Sequence, residues 1–148
     1  DILRLLFVAF PPDSDQTHLS GSNYLVRNLI GVDQKSGYVA VPQNVKEGQL
    51  IGFTLRNPEM AREDLKQMLD RITSSQNPEH SFEFGFYFNC CARGSSLYSH
   101  EGIDTAYISS ALGDIPFIGF FGNSEFAPIQ ESNHLFTYTG VLVLFSDK

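Results

Sequence analysis

The chain has 148 residues with 10 basic and 17 acidic side chains, a net charge of −7. That balance, with no run of Lys or Arg, excludes a phosphate-binding surface for nucleic acid and disfavours anionic membranes. Hydrophobic residues at 42% and charged residues at 18% describe a globular chain. A single domain over 1–148 is expected, long enough to bury roughly two-thirds of the surface its unfolded form exposes.

The apolar runs Leu5–Phe10 and Val141–Phe145 are too short to span a bilayer. Ile2–Phe10 lacks the basic lead-in of a secretory signal. Two cysteines adjacent in sequence do not make a disulfide framework. A cytoplasmic compartment is therefore expected.

In chain order, Ile2–Phe10 reads as a buried strand stopped by Pro11-Pro12, followed by a polar loop over 13–22. Tyr24–Val32 reads as a strand, and Tyr38–Val41 as its hairpin partner across the turn at 31–37. A further strand over Leu50–Arg56 follows. Asn57 is a good N-cap, Pro58 suits the first helical position, and Glu59 favours the positive helix start. Ala61, Leu65, Met68, Leu69 and Ile72 then recur at helical spacing, and Ser74 to Pro78 ends the helix.

Phe82–Asn89 alternates, with Phe82, Phe84, Phe86 and Phe88 on one face and Glu83, Gly85, Tyr87 and Asn89 on the other. A strand with four Phe on one side is expected to be central, with that side in the core. Ser99–Leu112 reads as a second helix burying Ile103, Ala106, Tyr107 and Ala111, stopped by Gly113. Ile115–Phe121 is a short strand, and the strand–helix–strand unit over 81–121 allows a local parallel pairing. Gly122–Glu125 is a turn, Phe126–Ile129 a brief strand, and His134–Phe145 a long closing strand. The order predicts an α+β fold: a mixed, mostly antiparallel sheet with two main helices.

Chemistry gathers at the exit of the central strand. Cys90 and Cys91 point to opposite faces of a strand, and no CxxC, HExxH or HxH spacing exists, so no metal site is expected. A thiolate nucleophile would need Arg93 to lower its pKa and His100 or His134 as a base. An inert thiol lining the core is the commoner fate. Arg93, followed by Gly94, is placed to hold a carboxylate in a two-pronged hydrogen bond. Its partner could be a ligand or an internal acid such as Glu125, which follows Ser124 in the turn after a buried strand. Neither GxGxxG nor GxxxxGK[ST] occurs, so no nucleotide or other cofactor is expected.

Taken together, Asn-Cys-Cys-Ala-Arg-Gly at 89–94, Ile-Pro-Phe-Ile-Gly-Phe-Phe-Gly-Asn-Ser-Glu at 115–125 and His-Leu-Phe-Thr-Tyr-Thr at 134–139 resemble the C-terminal half of a FIST domain. Tyr-Leu-Val-Arg at 24–27, Ile-Gly-Val-Asp at 30–33 and Val-Lys-Glu-Gly at 45–48 extend the likeness to nearly the whole chain. The family is named for F-box and intracellular signal transduction proteins. The resemblance implies a non-enzymatic sensory domain for a small ligand, with amino acids suggested. It also implies an N-terminal FIST half and signalling output domains as partners. The family's Cys-x-x-Arg falls on Cys90 and Arg93 and its acidic turn residue on Glu125; where the family often has Gly, this chain has Ser124.

The expected site therefore consists of Arg93, Glu125, Cys90, Cys91, Asn89, Tyr87, Ser124 and His134. Arg93 would grip a ligand carboxylate and Glu125 would meet an amino group. The alternatives are a protein–protein interaction scaffold, marked by an exposed apolar patch without a pocket, and a cysteine-dependent hydrolase.

Overall fold

The computed structural model describes residues 2–19, 21, 23–77 and 79–147. Ser20 and Ser22 of the expected loop, and Pro78 at the expected helix end, lie outside them. The strands sort into two three-stranded and two two-stranded sheets, mostly antiparallel, with the helices between them in sequence. The fold is α+β, as expected. The chain divides into two compact units, Asp1–Arg56 with Phe126–Thr137, and Asn57–Glu125 with Tyr138–Lys148.

In the first unit, the expected strand over Ile2–Phe10 opens as a 3-10 turn, Ile2–Arg4, and becomes strand β1 only at Leu6–Phe10. β1 is the middle strand between β2 (Leu25–Asn28) and β5 (Gly52–Leu55), antiparallel to both. Tyr24–Val32 is two short strands rather than one. β2 joins the β1 sheet, while β3 (Gly31–Asp33) pairs in a hairpin with β4 (Tyr38–Ala40). Asp33 organises that turn by accepting from the Lys35 amide and the Ser36 hydroxyl. Val8, Phe10 and Leu25 form the core, with Leu29, Val41, Ile129 and Phe136 packed against them.

In the second unit, helix α1 (Pro58–Ser75) forms where its caps require: the Asn57 side chain accepts from the Met60 amide at 2.9 Å. It buries Leu65 and Leu69, which lie four residues apart on one face. Strand β6 (Phe82–Cys90) runs through the middle of its sheet. On one side it pairs in parallel with β7 (Phe117–Gly122), which the strand–helix–strand order allows. On the other it pairs antiparallel with β10 (Gly140–Ser146).

The expected closing strand is broken. β9 (Ser132–Phe136) pairs with β8 (Glu125–Ile129), and Tyr138, with φ +63°, turns the chain before β10. The expected second helix over Ser99–Leu112 starts later, as α3 (Ile103–Leu112), and ends at Gly113 as expected; a short α2 (Gly94–Tyr98), not expected from the sequence, precedes it.

Two packing expectations change. α3 buries Asp104 and Ile108, with Ile103 half-buried and Tyr107 packed on the core as expected, while Ala106 and Ala111 face solvent. The helix is turned so that an acid points inward. The four Phe of β6 are not the core face either. Leu65, Leu69 and Ile108 close on Tyr87, together with Phe117 and Leu142, so the helices cover the face that carries Tyr87 and Asn89. The Phe face is left partly open. Alternation shows that a strand has two faces, but the helices here cover the more polar one, because its Tyr87 and Asn89 bond the buried Asp104, which spacing alone does not reveal.

Candidate functional site

The end of β6 is tied down on both sides. The Cys90 amide donates to the Thr139 carbonyl at 2.9 Å and the Cys91 amide to the Gly122 carbonyl at 2.8 Å. The backbone then turns sharply, with the Arg93 amide donating to the Cys90 carbonyl at 2.8 Å, and α2 begins. This turn sends the Arg93 side chain back under α2 and α3, where it is almost wholly buried.

A buried guanidinium needs an anion, and Asp104 supplies it. Arg93 Nε donates to Asp104 Oδ2 at 2.9 Å and Nη2 to Oδ1 at 3.1 Å, the two-pronged geometry of an arginine–carboxylate pair. Tyr87 Oη donates to Oδ2 at 2.8 Å and Asn89 Nδ2 to Oδ2 at 3.0 Å. Tyr98 Oη receives from Arg93 Nη2 at 2.7 Å and donates to Oδ1 at 2.8 Å. Asp104 thus accepts five hydrogen bonds from four side chains. Its place in the first turn of α3 adds the favourable field of a helix start.

The ionisation states follow from this geometry. Burial raises the cost of charging Asp104, but the Arg93 hydrogen bonds and charge, with the two tyrosines, hold its carboxyl below the usual range. Burial also opposes the Arg93 charge, and the Asp104 bonds and charge overcome it and raise the guanidinium pKa. Burial first, and the Asp104 carboxylate second, push the Tyr87 hydroxyl up. Burial raises Tyr98 as well, with Arg93 opposing. Around neutral pH the cluster is one cation, one anion and two neutral phenols.

Two glycines give Tyr87 its position. A Cβ at Gly140 would overlap the Tyr87 ring and hydroxyl, and one at Gly119 would overlap the Tyr87 backbone on the neighbouring strand. Glycine at these positions allows a close approach that any side chain would prevent. The Tyr98 ring is flanked by cations, with Arg62 of α1 at 5.4 Å and Arg93 at 5.8 Å from its centre.

A pocket of about 320 Å³ opens beside the cluster. Its polar part is Tyr87, Asn89, Tyr98 and Asp104; Ile103 and the β7 residues Phe117, Ile118, Phe120 and Phe121 supply apolar walls, and Gly94 and Gly102 the close backbone. Arg93 does not itself line the pocket, but its partners Asp104 and Tyr98 do. A mostly apolar cleft with a few convergent polar groups is the usual form of a small-molecule site.

The chain belongs to the FIST C domain family. The family profile matches residues 4–128, most of the chain, and marks a domain associated with signal transduction. Among curated proteins, the chain is 30% identical over 126 residues to the uncharacterized protein Rv0628c of Mycobacterium tuberculosis, covering 84% of this chain and 32% of that protein. It is 29% identical over 125 residues to the uncharacterized protein Mb0898c of Mycobacterium bovis, with the same coverage of each. The chain spans about a third of the length of these relatives.

Of the residues expected to form the site, Tyr87, Asn89 and Arg93 are brought together. Glu125 is buried, and neither of its carboxylate oxygens has a hydrogen-bond partner among the described residues. Burial raises its carboxyl pKa, and the Arg93 charge acts against that rise. Ser124 is exposed beside it. Cys90 is buried and Cys91 exposed, and among the described residues no hydrogen bond joins either thiol to a histidine. His134 lies on β9, in the other compact unit. Among the described residues, no group of three or more His, Cys, Asp or Glu side chains gathers to hold a metal.

Asp104 and Tyr98 are the members that sequence reasoning missed. A signal for Asp104 existed: it lies four residues before Ile108, on the helix face that must turn inward if Ile108 does. A buried Arg93 requires an acid nearby, and Asp104 is the acid so placed.

Proposed function

We propose that this domain is a non-enzymatic small-molecule sensor of a cytoplasmic signalling protein, and that its ligand enters the pocket beside Asp104. The observation that carries the reading is the pocket itself, which opens onto a charged, hydrogen-bonded cluster, with the buried Asn89 Oδ1 left without a hydrogen-bond partner among the described residues, rather than onto a reactive group. Amino acids and other small carboxylates are the ligand class. Arg93 already holds a carboxylate in its fork, that of Asp104, and a ligand carboxylate would compete for the same two donors.

Such competition would couple binding to movement. Asp104 sits in the first turn of α3, so its release from Arg93 would free the α2–α3 corner, which forms one rim of the pocket. A ligand that favours the released arrangement shifts the population toward it in proportion to its differential affinity. The relatives, matched over only about a third of their length, are in keeping with partners on the same polypeptide: an N-terminal FIST half and an output domain. Among the described residues no helix is long and apolar enough to cross a membrane.

Titration calorimetry with a panel of amino acids and small carboxylates tests this. A Cβ at Gly94 would stand 3.6 Å from the Phe121 ring, so Gly94→Val grows into the pocket. Saturable binding by the unmodified chain and its loss in Gly94→Val are expected. Absence of binding across the panel, or equal binding by Gly94→Val, would overturn the proposal.

A further inference from the structure

The β10-β6-β7 sheet has helices on one face only. Paired residues of neighbouring strands share a face, and the register places Phe84 opposite Phe145, Phe86 opposite Val143 and Ile118, and Phe88 opposite Val141 and Phe120. The rings confirm one continuous surface. Phe84 stacks on Phe145 at 4.4 Å, Phe86 lies 5.9 Å from Phe145 and 6.0 Å from Phe88, and Phe88 meets Phe120 at 5.2 Å. Phe84 is 39% exposed, Val143 36%, Phe145 42%, Phe120 65% and Ile118 70%.

We infer that this aromatic face is a dimer interface, and that it packs against the same face of a second copy of the chain. A sheet with an apolar face needs another layer to bury it. With aromatic side chains presenting about 150–250 Å² each, the uncovered part comes to roughly 500–700 Å². That exceeds the few hundred Å² of an ordinary monomer's largest patch and approaches the ~800 Å² per partner of a stable interface.

The charge pattern selects the occupant. The chain carries −7, yet no charged residue lies among the paired Phe, Val and Ile positions of this face. A partner chosen by charge has nothing here to recognise, and two copies can meet here without bringing like charges together. Each of the three strands carries rings on this face, Phe84, Phe86 and Phe88 on β6, Phe120 on β7 and Phe145 on β10, so ring can meet ring when two copies face each other. Two such sheets pack face to face with strands aligned within about 30°. Ile118 and Phe120 of β7 border both the pocket and this face, but Val143 and Phe145, the positions that test the face, do not line the pocket.

Light scattering coupled to size exclusion, over a wide concentration range, tests it. The unmodified chain is expected at twice its 16.5 kDa. Val143→Glu and Phe145→Ser, both at exposed positions, are expected to give folded monomers, with folding checked by cooperative melting. Hydrogen exchange of the unmodified chain tests the same face without a substitution: amides of 117–122 should gain protection as concentration rises. A monomer at every concentration overturns the inference. If that monomer also binds a hydrophobic dye that Val143→Glu no longer binds, the face is open and meant for a different polypeptide. A dimer that persists in both variants places the interface elsewhere and equally overturns it, as does protection that is independent of concentration.

Discussion

The two faces of the β10-β6-β7 sheet are built from alternate residues of the same strands and meet opposite ends. On one, Tyr87 and Asn89 point at the helices, where their polar atoms are needed to satisfy the buried Asp104. On the other, Phe84, Phe86 and Phe88 make a larger apolar surface that the helices leave uncovered. The more hydrophobic face is thus the less buried one. A helix layer is placed by complementarity as well as by apolar area: an Asp on α3 and an Arg after β6 can be buried only together. Substitutions on the covered face should therefore disturb folding, and those on the open face should disturb association.

The largest effect is expected at the ion pair. Arg93→Ala leaves the Asp104 charge buried without its cation, and Asp104→Ala does the reverse. Each should lower stability by about 3–5 kcal/mol in chemical denaturation. A loss under about 1 kcal/mol would mean the pair is not buried in solution. Gly140→Ala comes next, because its methyl group would force the Tyr87 ring away from Asp104. Overpacking of this kind costs about 1–3 kcal/mol, and a crystal structure of the variant should show the Tyr87–Asp104 hydrogen bond broken.

The acid dependence should show two opposed carboxyls. Asp104 has a depressed pKa, so its contribution is present above its unfolded value and is lost as pH falls through the folded one. Glu125 has a raised pKa, so the folded state takes up its proton first, and stability gains as pH falls through that value. Glu125→Gln should accordingly stabilise the chain at neutral pH and lose that advantage in acid, as read from melting temperatures across pH. A variant that is less stable at neutral pH would show that Glu125 has a partner when folded. The smallest effect is expected on the open face. Ile118→Ser, measured at concentrations where only monomer exists, should change stability by no more than about 0.5 kcal/mol. A larger loss would mean the face is covered within the chain.

Much of the fold could be read from spacing and caps. α1 carried its start in Asn57-Pro58-Glu59 and its buried face in Leu65 and Leu69, and both are as the pattern implied. The parallel β6–β7 pairing is one that the strand–helix–strand order allowed. What spacing could not resolve were choices made in three dimensions. His134–Phe145 is apolar enough for one strand, but the break at Tyr138 depends on a left-handed backbone that no local motif announces. α3 contains apolar residues on more than one side, and its orientation was decided by Asp104 rather than by Ala106 or Ala111.

The site was legible in the same partial way. Tyr87, Asn89 and Arg93 stood out because a central strand delivers them, and they do converge. Their common partner is an acid more than ten residues downstream on a helix, and sequence separation gives no measure of that distance. Cys90 and Cys91 drew attention as a rare pair, yet adjacency sends one thiol inward and the other to solvent.

The ligand is expected beside Tyr87 and Asp104, and not at the centre of the aromatic face around Phe145. Parallel titrations of Gly94→Val and Phe145→Ser with the same amino acids and carboxylates test this most directly. The first change grows into the pocket toward the Phe121 ring, and the second lies on the open face at a residue that does not line the pocket. Loss of binding in Gly94→Val, with unchanged affinity in Phe145→Ser, is the predicted result. Binding that survives in Gly94→Val and is lost in Phe145→Ser would contradict it.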